Sequence, residues 1–258
     1  MSKRQMHINL TKEETAKYVF VPGSIERVER IAQQMDNPKF VTQKREYTTW
    51  EGYIEGERVI VTSTGIGGPS AGIAMEELVK NGADTFIRIG SCATLSPRVK
   101  RGDVVIPNGV VRMDGVSYHY AKAEFPAVPN YEILNNLVDG AKNLGHEPKV
   151  GINITKDSFY TQTEPHTKPV GEELIYRWNS YIKAGAETTS MEEATLFVAG
   201  SSLGVRVGSI MVCATNYETT KDHQLYTDDD ELKSIKAGIE GMRLTILRDR
   251  EKAAKAKK

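Results

Sequence analysis

Short apolar runs alternate along the chain with segments whose apolar residues recur at helical spacing. The first pattern predicts strands and the second predicts helices. The predicted strands are 18–21, 44–53, 58–64, 86–89, 103–107, 109–113, 150–155 and 204–213, with a hairpin turn at 55–56 and a loop over 118–126. The predicted helices are 25–35, 69–79, 134–144, 174–184, 188–199 (after a polar start) and 228–250. This alternation favours a layered α/β fold with a largely parallel sheet.

Length and composition narrow the class of protein only a little. With 258 residues and no repeat or linker, the chain is expected to form one domain. Lys plus Arg and Asp plus Glu number 34 each, so no overall charge attracts nucleic acid or a membrane, and any anion site must be local. Cys92 and Cys213 are too few for a disulfide framework, and the chain has neither an apolar signal core nor a membrane-length apolar stretch. We therefore expect a soluble, cytoplasmic protein.

A charged residue interrupts the apolar strand 86–89. Arg88 lies among Phe86, Ile87 and Ile89, where the pattern predicts burial. One interpretation is a structural ion pair with a carboxylate, since buried charges are normally paired. The other is that Arg88 binds an anion near the carboxyl end of the strand, beside the backbone amides that follow.

A second local signal for an anion follows the first predicted strand. Gly23 allows a tight turn, and Ser24 can cap a helix whose free N-terminal amides attract anions. Arg27 lies in the first turn of that helix, where a cation opposes the helix dipole unless an anion lies between them. A surface arginine is the alternative, but together with Arg88 the segment favours an anion site.

Three further segments carry weaker signals. The glycine-rich turn 65–70 matches neither the nucleotide-triphosphatase phosphate loop nor the dinucleotide fingerprint, and is more typical of close backbone packing or a ligand wall. Phe159 and Gln162 suit a planar heterocycle, although aromatic residues beside a loop also fill cores. Glu192 near the start of helix 188–199 is either a ligand carboxylate or one that the helix dipole favours.

Six motifs in order give the chain a resemblance to a known family. They are Pro22-Gly23 with Arg27, 45–49 (REYTT), 64–70 (TGIGGPS), 88–91 (RIGS), 124–127 (EFPA), and Met191-Glu192 with Ala194-Thr195. With them the chain resembles the bacterial-type uridine phosphorylases of nucleoside phosphorylase family I, from position 7 to about 216. The resemblance implies a single nucleoside phosphorylase domain over 1–258, with a three-layer α/β/α fold, a central mixed sheet, and hexamers built as trimers of dimers. The lysine-rich composition of 251–258 independently predicts a flexible basic tail.

The resemblance also implies a reaction and its site residues. The reaction is reversible phosphorolysis of uridine, or a related pyrimidine nucleoside, to uracil and ribose 1-phosphate. It uses inorganic phosphate as co-substrate, without a required cofactor or a covalent enzyme nucleophile. Phosphate is implied to bind Gly23, Arg27, Arg88, Ser91 and Arg45 of a neighbouring subunit. Ribose is implied to bind Met191, Glu192 and the neighbour's His7, and the base to bind Phe159 and Gln162. Arg88 and Glu192 carry the catalysis, and Glu46, Ile66 and Ser70 match a K⁺ site at a dimer interface in some relatives.

Four features depart from the family pattern. Ser24 stands where the family usually has aspartate, Ala93 where it has glycine, and Ser190 where it has glutamate. The arginine that binds a uracil carbonyl after Gln162 is missing, and Lys168 or His166 is the expected substitute.

These departures leave two alternative functions open. One is a purine nucleoside phosphorylase or nucleosidase of the same fold, although 213–216 lacks the aspartate that those enzymes place after the last strand. The other is a nucleoside-binding homologue with impaired catalysis, although the chain keeps Arg27, Arg45, Arg88 and Glu192.

Overall fold

The predicted strands and helices are largely present in the computed structural model, which describes residues 3–214 and 226–256. The strands are β1 Tyr18–Phe20, β2 Asp36–Lys44, β3 Tyr47–Ile54, β4 Glu57–Thr62, β5 Thr85–Thr94, β6 Val104–Met113, β7 Lys149–Lys156, β8 Ala186–Ser190 and β9 Arg206–Ala214. The helices are α1 Ile25–Ala32, α2 Gly68–Lys80, α3 Ser117–Tyr120, α4 Tyr131–Asn143, α5 Tyr160–Thr163, α6 Gly171–Lys183, α7 Glu193–Leu203 and α8 Asp228–Lys255.

The strands of the described residues form one mixed sheet in the order β2-β3-β4-β1-β5-β8-β7-β6-β9. Strand β9 also pairs with β5, so β5, β8, β7, β6 and β9 close on themselves. The pairs β1–β4, β1–β5, β5–β9, β6–β7 and β7–β8 are parallel. The pairs β2–β3, β3–β4, β5–β8 and β6–β9 are antiparallel. The mixed sheet of the family resemblance is therefore confirmed, and the largely parallel sheet expected from strand alternation alone is only partly correct, since five of the nine pairs among the described strands are parallel.

Helices cover both faces of the sheet. Phe20 and Ile87 point to one face and belong to a core with residues of α1, α4 and α8. Their neighbours Val19 and Phe86 point to the other face and pack with residues of α2 and α7. This alternation is the two-residue period of a strand that is buried on both sides. The predicted three-layer α/β/α class is thereby confirmed.

Two strands were not predicted, and each lacks an apolar run. Strand β2 is mostly exposed and contains Pro38, so it has the composition of an edge strand rather than of a core strand. Strand β8 reads AETTS, yet all five residues are buried because β5 and β7 flank it. The hydroxyl groups of its Thr188 and Thr189 are satisfied by Asn153 and by the carbonyl of Ile154.

Other boundaries also differ from the prediction. The predicted strands 103–107 and 109–113 are one strand, β6, whose register shifts between Pro107 and Gly109 because proline cannot donate to the ladder. The short helix α3, Ser117–Tyr120, overlaps the start of the predicted loop 118–126, and α1 ends at Ala32 rather than at position 35.

The C-terminal end of the chain is helical where a flexible tail was expected. Helix α8 continues to Lys255, so the expected frayed tail is wrong for 251–255. Alanine, lysine and glutamate are strong helix formers, and Lys252 and Lys255 favour the negative end of the helix dipole. Lys252 also pairs with Glu132 of α4. Positions 215, 216, 257 and 258, which the sequence analysis also used, lie outside the described residues. Among the described helices, none has the length and apolar character needed to cross a membrane.

Candidate active site

A cavity of about 500 Å³ opens between strand β5 and the segments that follow strands β1, β4, β7 and β8; we call it the cleft. Ligands of open α/β sheets usually bind at the carboxyl ends of the strands. The cleft brings together most of the predicted site residues, which are Gly23, Arg27, Glu46, Ile66, Arg88, Ser91, Phe159, Gln162, Met191 and Glu192.

Arg88 is a buried cation held by two buried carboxylates. Its Nη2 donates a short hydrogen bond to Oε2 of Glu192, and its Nη1 lies 2.8 Å from Oε1 of Glu193. The second contact lacks hydrogen-bond alignment, so Nε and Nη1 have no hydrogen-bond acceptor among the described residues. Burial alone lowers the pKa of Arg88, but Glu192 and Glu193 outweigh that effect and raise its pKa above the ordinary value. Arg88 therefore has the ion pair that burial requires and also N–H groups free for a further acceptor.

The guanidinium of Arg88 folds back over Gly90. A Cβ atom at position 90 would lie 1.5 Å from Nη1 of Arg88 and 2.5 Å from its Cζ. Real Cβ atoms do not approach other atoms so closely, so the glycine is required for the position of the guanidinium rather than for its own backbone angles.

Gly90→Ala is therefore expected to displace the Arg88 guanidinium and to weaken the phosphate-dependent turnover that the family resemblance implies. We expect a loss of roughly 10- to 50-fold, below the hundredfold that a 1 Å misplacement of a reacting group can cost. Steady-state kinetics with varied phosphate measures the effect. Gly82→Ala is a matched control for stability, because no atom lies within 4 Å of a Cβ there, although its φ of +105° adds backbone strain. Unchanged kinetics in Gly90→Ala would show that the position of Arg88 is not critical.

Arg27 is held in place from three sides. Its backbone N–H donates to the N-cap Ser24 Oγ at 3.3 Å, and its Nε donates to Glu231 Oε1 at 2.7 Å. Its Nη2 donates to the Tyr226 hydroxyl at 2.7 Å, and its Nη1 to the carbonyl of Ile89 at 3.3 Å. The carbonyl of Ile89 lies next to Arg88 on β5, so the two arginines converge on one wall of the cleft.

Aromatic and amide groups also line the cleft. Phe159 packs edge to face with Tyr160, with ring centroids 5.4 Å apart. Gln162 lines the cleft and also a second cavity of about 380 Å³. The second cavity has apolar walls from Leu174 and Trp178, so a planar group beside Gln162 would meet both polar and apolar contacts.

Lys156, the last residue of β7, lines both cavities, and the sequence analysis did not single it out. It is 7 % exposed, and its Nζ donates to Thr189 Oγ1 at 3.0 Å. Burial lowers its pKa to about 8, against the opposing charges of Glu192 and Glu193. A lysine that follows an apolar strand directly and precedes the segment of Phe159 was the available signal. It is the same kind of signal that identified Arg88.

Comparison with known proteins gives the family. The sequence model of a protein family described as "Phosphorylase superfamily" matches residues 17–245. The chain belongs to the phosphorylase superfamily. A uridine phosphorylase of Haemophilus influenzae is 39% identical over 240 residues, which cover 89% of this chain and 94% of the relative. One from Escherichia coli is 40% identical over 216 residues, covering 81% of this chain and 85% of the relative. A guanosine phosphorylase of Halorubrum lacusprofundi is 32% identical over 244 residues, covering 94% and 97%.

Four residues that the superfamily resemblance assigned to sites do not line the cleft of their own chain: His7, Arg45, Ser70 and Lys168. His7 lines a separate cavity, where its Nδ1 lies 2.7 Å from Glu77 Oε1. Arg45 is exposed at the β2–β3 turn, with φ of +56°. Lys168 is half-buried; its Nζ lies 4.0 Å from Glu164 Oε2, and it lines a third cavity together with His166.

The positions matched to a monovalent cation surround one turn. A Cβ atom on Gly65 would lie 2.9 Å from Cγ of Glu46 and 3.2 Å from Oγ of Ser70. Ser70 Oγ also donates to the carbonyl of Ile66 at 3.2 Å. Carboxylate, carbonyl and hydroxyl oxygens are ligands that hard cations accept, so these residues supply the donor types that the expected monovalent cation would need. No group of three or more His, Cys, Asp or Glu suited to a metal occurs in the part of the chain that the structure describes.

Proposed function

We propose that this protein catalyses the reversible phosphorolysis of uridine, or of a closely related pyrimidine nucleoside, to uracil and ribose 1-phosphate. The observation that carries the proposal is Arg88, which is only 4 % exposed: its Nε and Nη1 make no aligned hydrogen bond among the described residues, although Nη1 is ion-paired with Glu193. Buried donors of a charged group rarely go without partners, and phosphate offers the oxygens that a guanidinium binds. The named relatives that are uridine phosphorylases support the choice of nucleoside.

Phosphate is proposed to bind between the turn after β1 and strand β5. Arg27 and Arg88 supply the charge, the hydroxyl of Ser91 supplies a donor, and Gly23 lets the backbone approach closely. Nε of Arg88 has no hydrogen-bond acceptor among the described residues, whereas Nη2 is bonded to Glu192, so phosphate is proposed to bind Nε and to compete with this carboxylate for Nη2.

Ribose is proposed to bind Glu192 once phosphate has displaced this carboxylate from Arg88. Glu192 lines the cleft beside Met191, and an ionised carboxylate accepts hydrogen bonds from sugar hydroxyls. In the structure Glu192 also accepts from the backbone N–H of Gly67 at 2.8 Å, which keeps it at the edge of the cleft while its other oxygen changes partner.

The base is proposed to lie against Phe159 and Gln162, with Lys156 at its edge. Within the described residues Lys156 makes one hydrogen bond, to Thr189, so its ammonium group keeps N–H groups for a carbonyl of the base. Lys156 thereby replaces the missing arginine as the residue that binds the base. Lys168, which was the expected substitute, lies outside the cleft.

The chemistry follows from these charges. A phosphate oxygen attacks the anomeric carbon while the bond from that carbon to the base nitrogen breaks, and its electron pair leaves with the base. Positive charge develops on the sugar beside phosphate and Glu192, and negative charge on the base beside Lys156. Holding the two reactants in line and placing fixed charges at both ends supply the rate enhancement. Phosphate is the co-substrate, and no further cofactor is needed.

We further propose that the whole chain, 1–258, is one domain that assembles into hexamers of three dimers with shared sites. His7 and Arg45 lie outside their own cleft, as donation to a neighbour's cleft requires, and Ile66 beside the cleft is 79% exposed. In such a dimer Glu46, Ile66 and Ser70 of two copies would complete the ligands of one K⁺. Both cysteines are free thiols, which supports a cytoplasmic location.

The proposed activity is tested by incubating the protein with uridine, thymidine and guanosine, with and without phosphate, and by following base release. We expect release from uridine that depends on phosphate and yields ribose 1-phosphate. Guanosine is included because one relative is a guanosine phosphorylase. Release without phosphate would indicate a nucleosidase, and no release from any nucleoside would overturn the proposal. Light scattering in the same buffer gives the oligomeric state.

A further inference from the structure

Two adjacent glutamates hold Arg88, and they differ in what else holds them. Glu193 is fully buried at the start of α7, and it does not line the cleft. Its Oε1 accepts from Ser209 Oγ at 3.0 Å and faces Nη1 of Arg88 at 2.8 Å. Its Oε2 accepts a short hydrogen bond from Ser190. Both oxygens of Glu193 are therefore engaged inside the protein.

Glu192 has the opposite character. It lines the cleft, and apart from Arg88 its side chain accepts only from backbone N–H groups, those of Gly67 at 2.8 Å and Met191 at 3.3 Å, in the described residues. Glu192 can turn toward a ligand in the cleft and keep the bond to Gly67, whereas Glu193 cannot move without leaving Ser190 and Ser209.

The proposed reaction makes this difference important. When Glu192 accepts from ribose, Arg88 loses one of its two carboxylates, and a buried guanidinium without a carboxylate is costly. We propose that Glu193 is a positioning residue for Arg88. It stays paired with the guanidinium when Glu192 turns to accept from the ribose, and it thereby keeps the guanidinium oriented toward phosphate. This inference rests on the proposed function, although phosphate binding tests it without turnover.

The network behind Glu193 supports a fixed role. Asn153 of β7 donates to Ser190 Oγ at 2.7 Å, and Ser190 in turn donates to Glu193. Strands β7, β8 and β9 thus each contribute one member of a buried chain of hydrogen bonds, through Asn153, Ser190 and Ser209. Networks in which every group is satisfied are rigid, which a positioning residue requires.

Calorimetric titration of inorganic phosphate, without nucleoside, separates positioning from simple charge repulsion. Glu193→Gln should weaken phosphate binding about tenfold, because Arg88 then turns both N–H arms to Glu192, its remaining carboxylate. Glu192→Gln should have the opposite sign and tighten phosphate binding, because it removes the group that competes for Arg88. If both variants tighten binding, Glu193 acts only as a nearby negative charge and the inference is wrong.

Two further variants separate positioning from stability. Asp114→Asn removes another buried carboxylate, one that accepts from Ser117 and Thr195 and does not line the cleft. It should lower the melting temperature as Glu193→Gln does but leave phosphate affinity unchanged. Glu193→Asp, which keeps the charge, should restore part of the affinity that Glu193→Gln loses. Equal losses of affinity in Asp114→Asn and Glu193→Gln would overturn the inference. If the variants change phosphate affinity as expected but the wild-type protein cleaves no nucleoside, the proposed function is wrong and the inference about Glu193 still holds.

Discussion

Arg88→Lys is expected to lower phosphate-dependent cleavage of uridine about a thousandfold, the upper range for the loss of one preorganised donor to a developing charge. Lysine keeps the positive charge between Glu192 and Glu193, so the folded protein should survive. It lacks the planar fork, so it cannot bind a carboxylate and phosphate at fixed angles together. Alanine is a poorer choice, because breaking a buried ion pair costs about 3–5 kcal/mol and two carboxylates would be left unpaired.

Steady-state kinetics with varied phosphate and thermal unfolding measure this prediction together. The matched control is Arg206→Lys, because Arg206 on β9 pairs with Asp249 through Nη1 at 2.8 Å and does not line the cleft. It should lose some stability and keep wild-type kinetics. If Arg88→Lys keeps its phosphate KM and its turnover, Arg88 is only a structural ion pair, which was the first interpretation of this residue.

The sequence was informative about Arg88 because the signal is local. A cation inside an apolar strand needs a partner wherever the strand lies, so burial and pairing follow without knowledge of the fold. Arg27 was found in the same way, from a turn and the start of a helix. The structure adds that both arginines already have carboxylate partners, Glu192 and Glu231, that the sequence could not assign.

The site contacts that were not predicted involve strand β8, which was not predicted either. Strand β8 has no apolar run, and it is buried only because β5 and β7 flank it. Without β8, neither the bond of Lys156 to Thr189 nor the bond of Ser190 to Glu193 could be foreseen. Periodicity detects burial by hydrophobic groups, but it does not detect burial in which Thr and Ser hydroxyls satisfy one another.

The charges in the cleft nearly cancel before any ligand binds. Among the residues that line it, Arg27, Arg88 and Lys156 balance Glu26, Glu46 and Glu192. Entering phosphate brings about two negative charges, and the departing base adds more as its bond to the sugar breaks. The cation nearest the base therefore has the most to contribute in the transition state, when the negative charge on the base is greatest.

Lys156→Met is accordingly expected to lower turnover of uridine about 100- to 1,000-fold, because the leaving base loses its charged donor. Stability should not fall, since burying an ammonium group is costly and methionine fills a similar volume. The wild-type kcat/KM should fall as pH rises through about 8, where Lys156 loses its proton in the free enzyme. The variant should lack this step. Lys142→Met, a change at an exposed lysine of α4, is the control and should keep the wild-type profile. A large loss in Lys168→Met with none in Lys156→Met would return the base-side role to Lys168 and contradict the assignment made from the cleft.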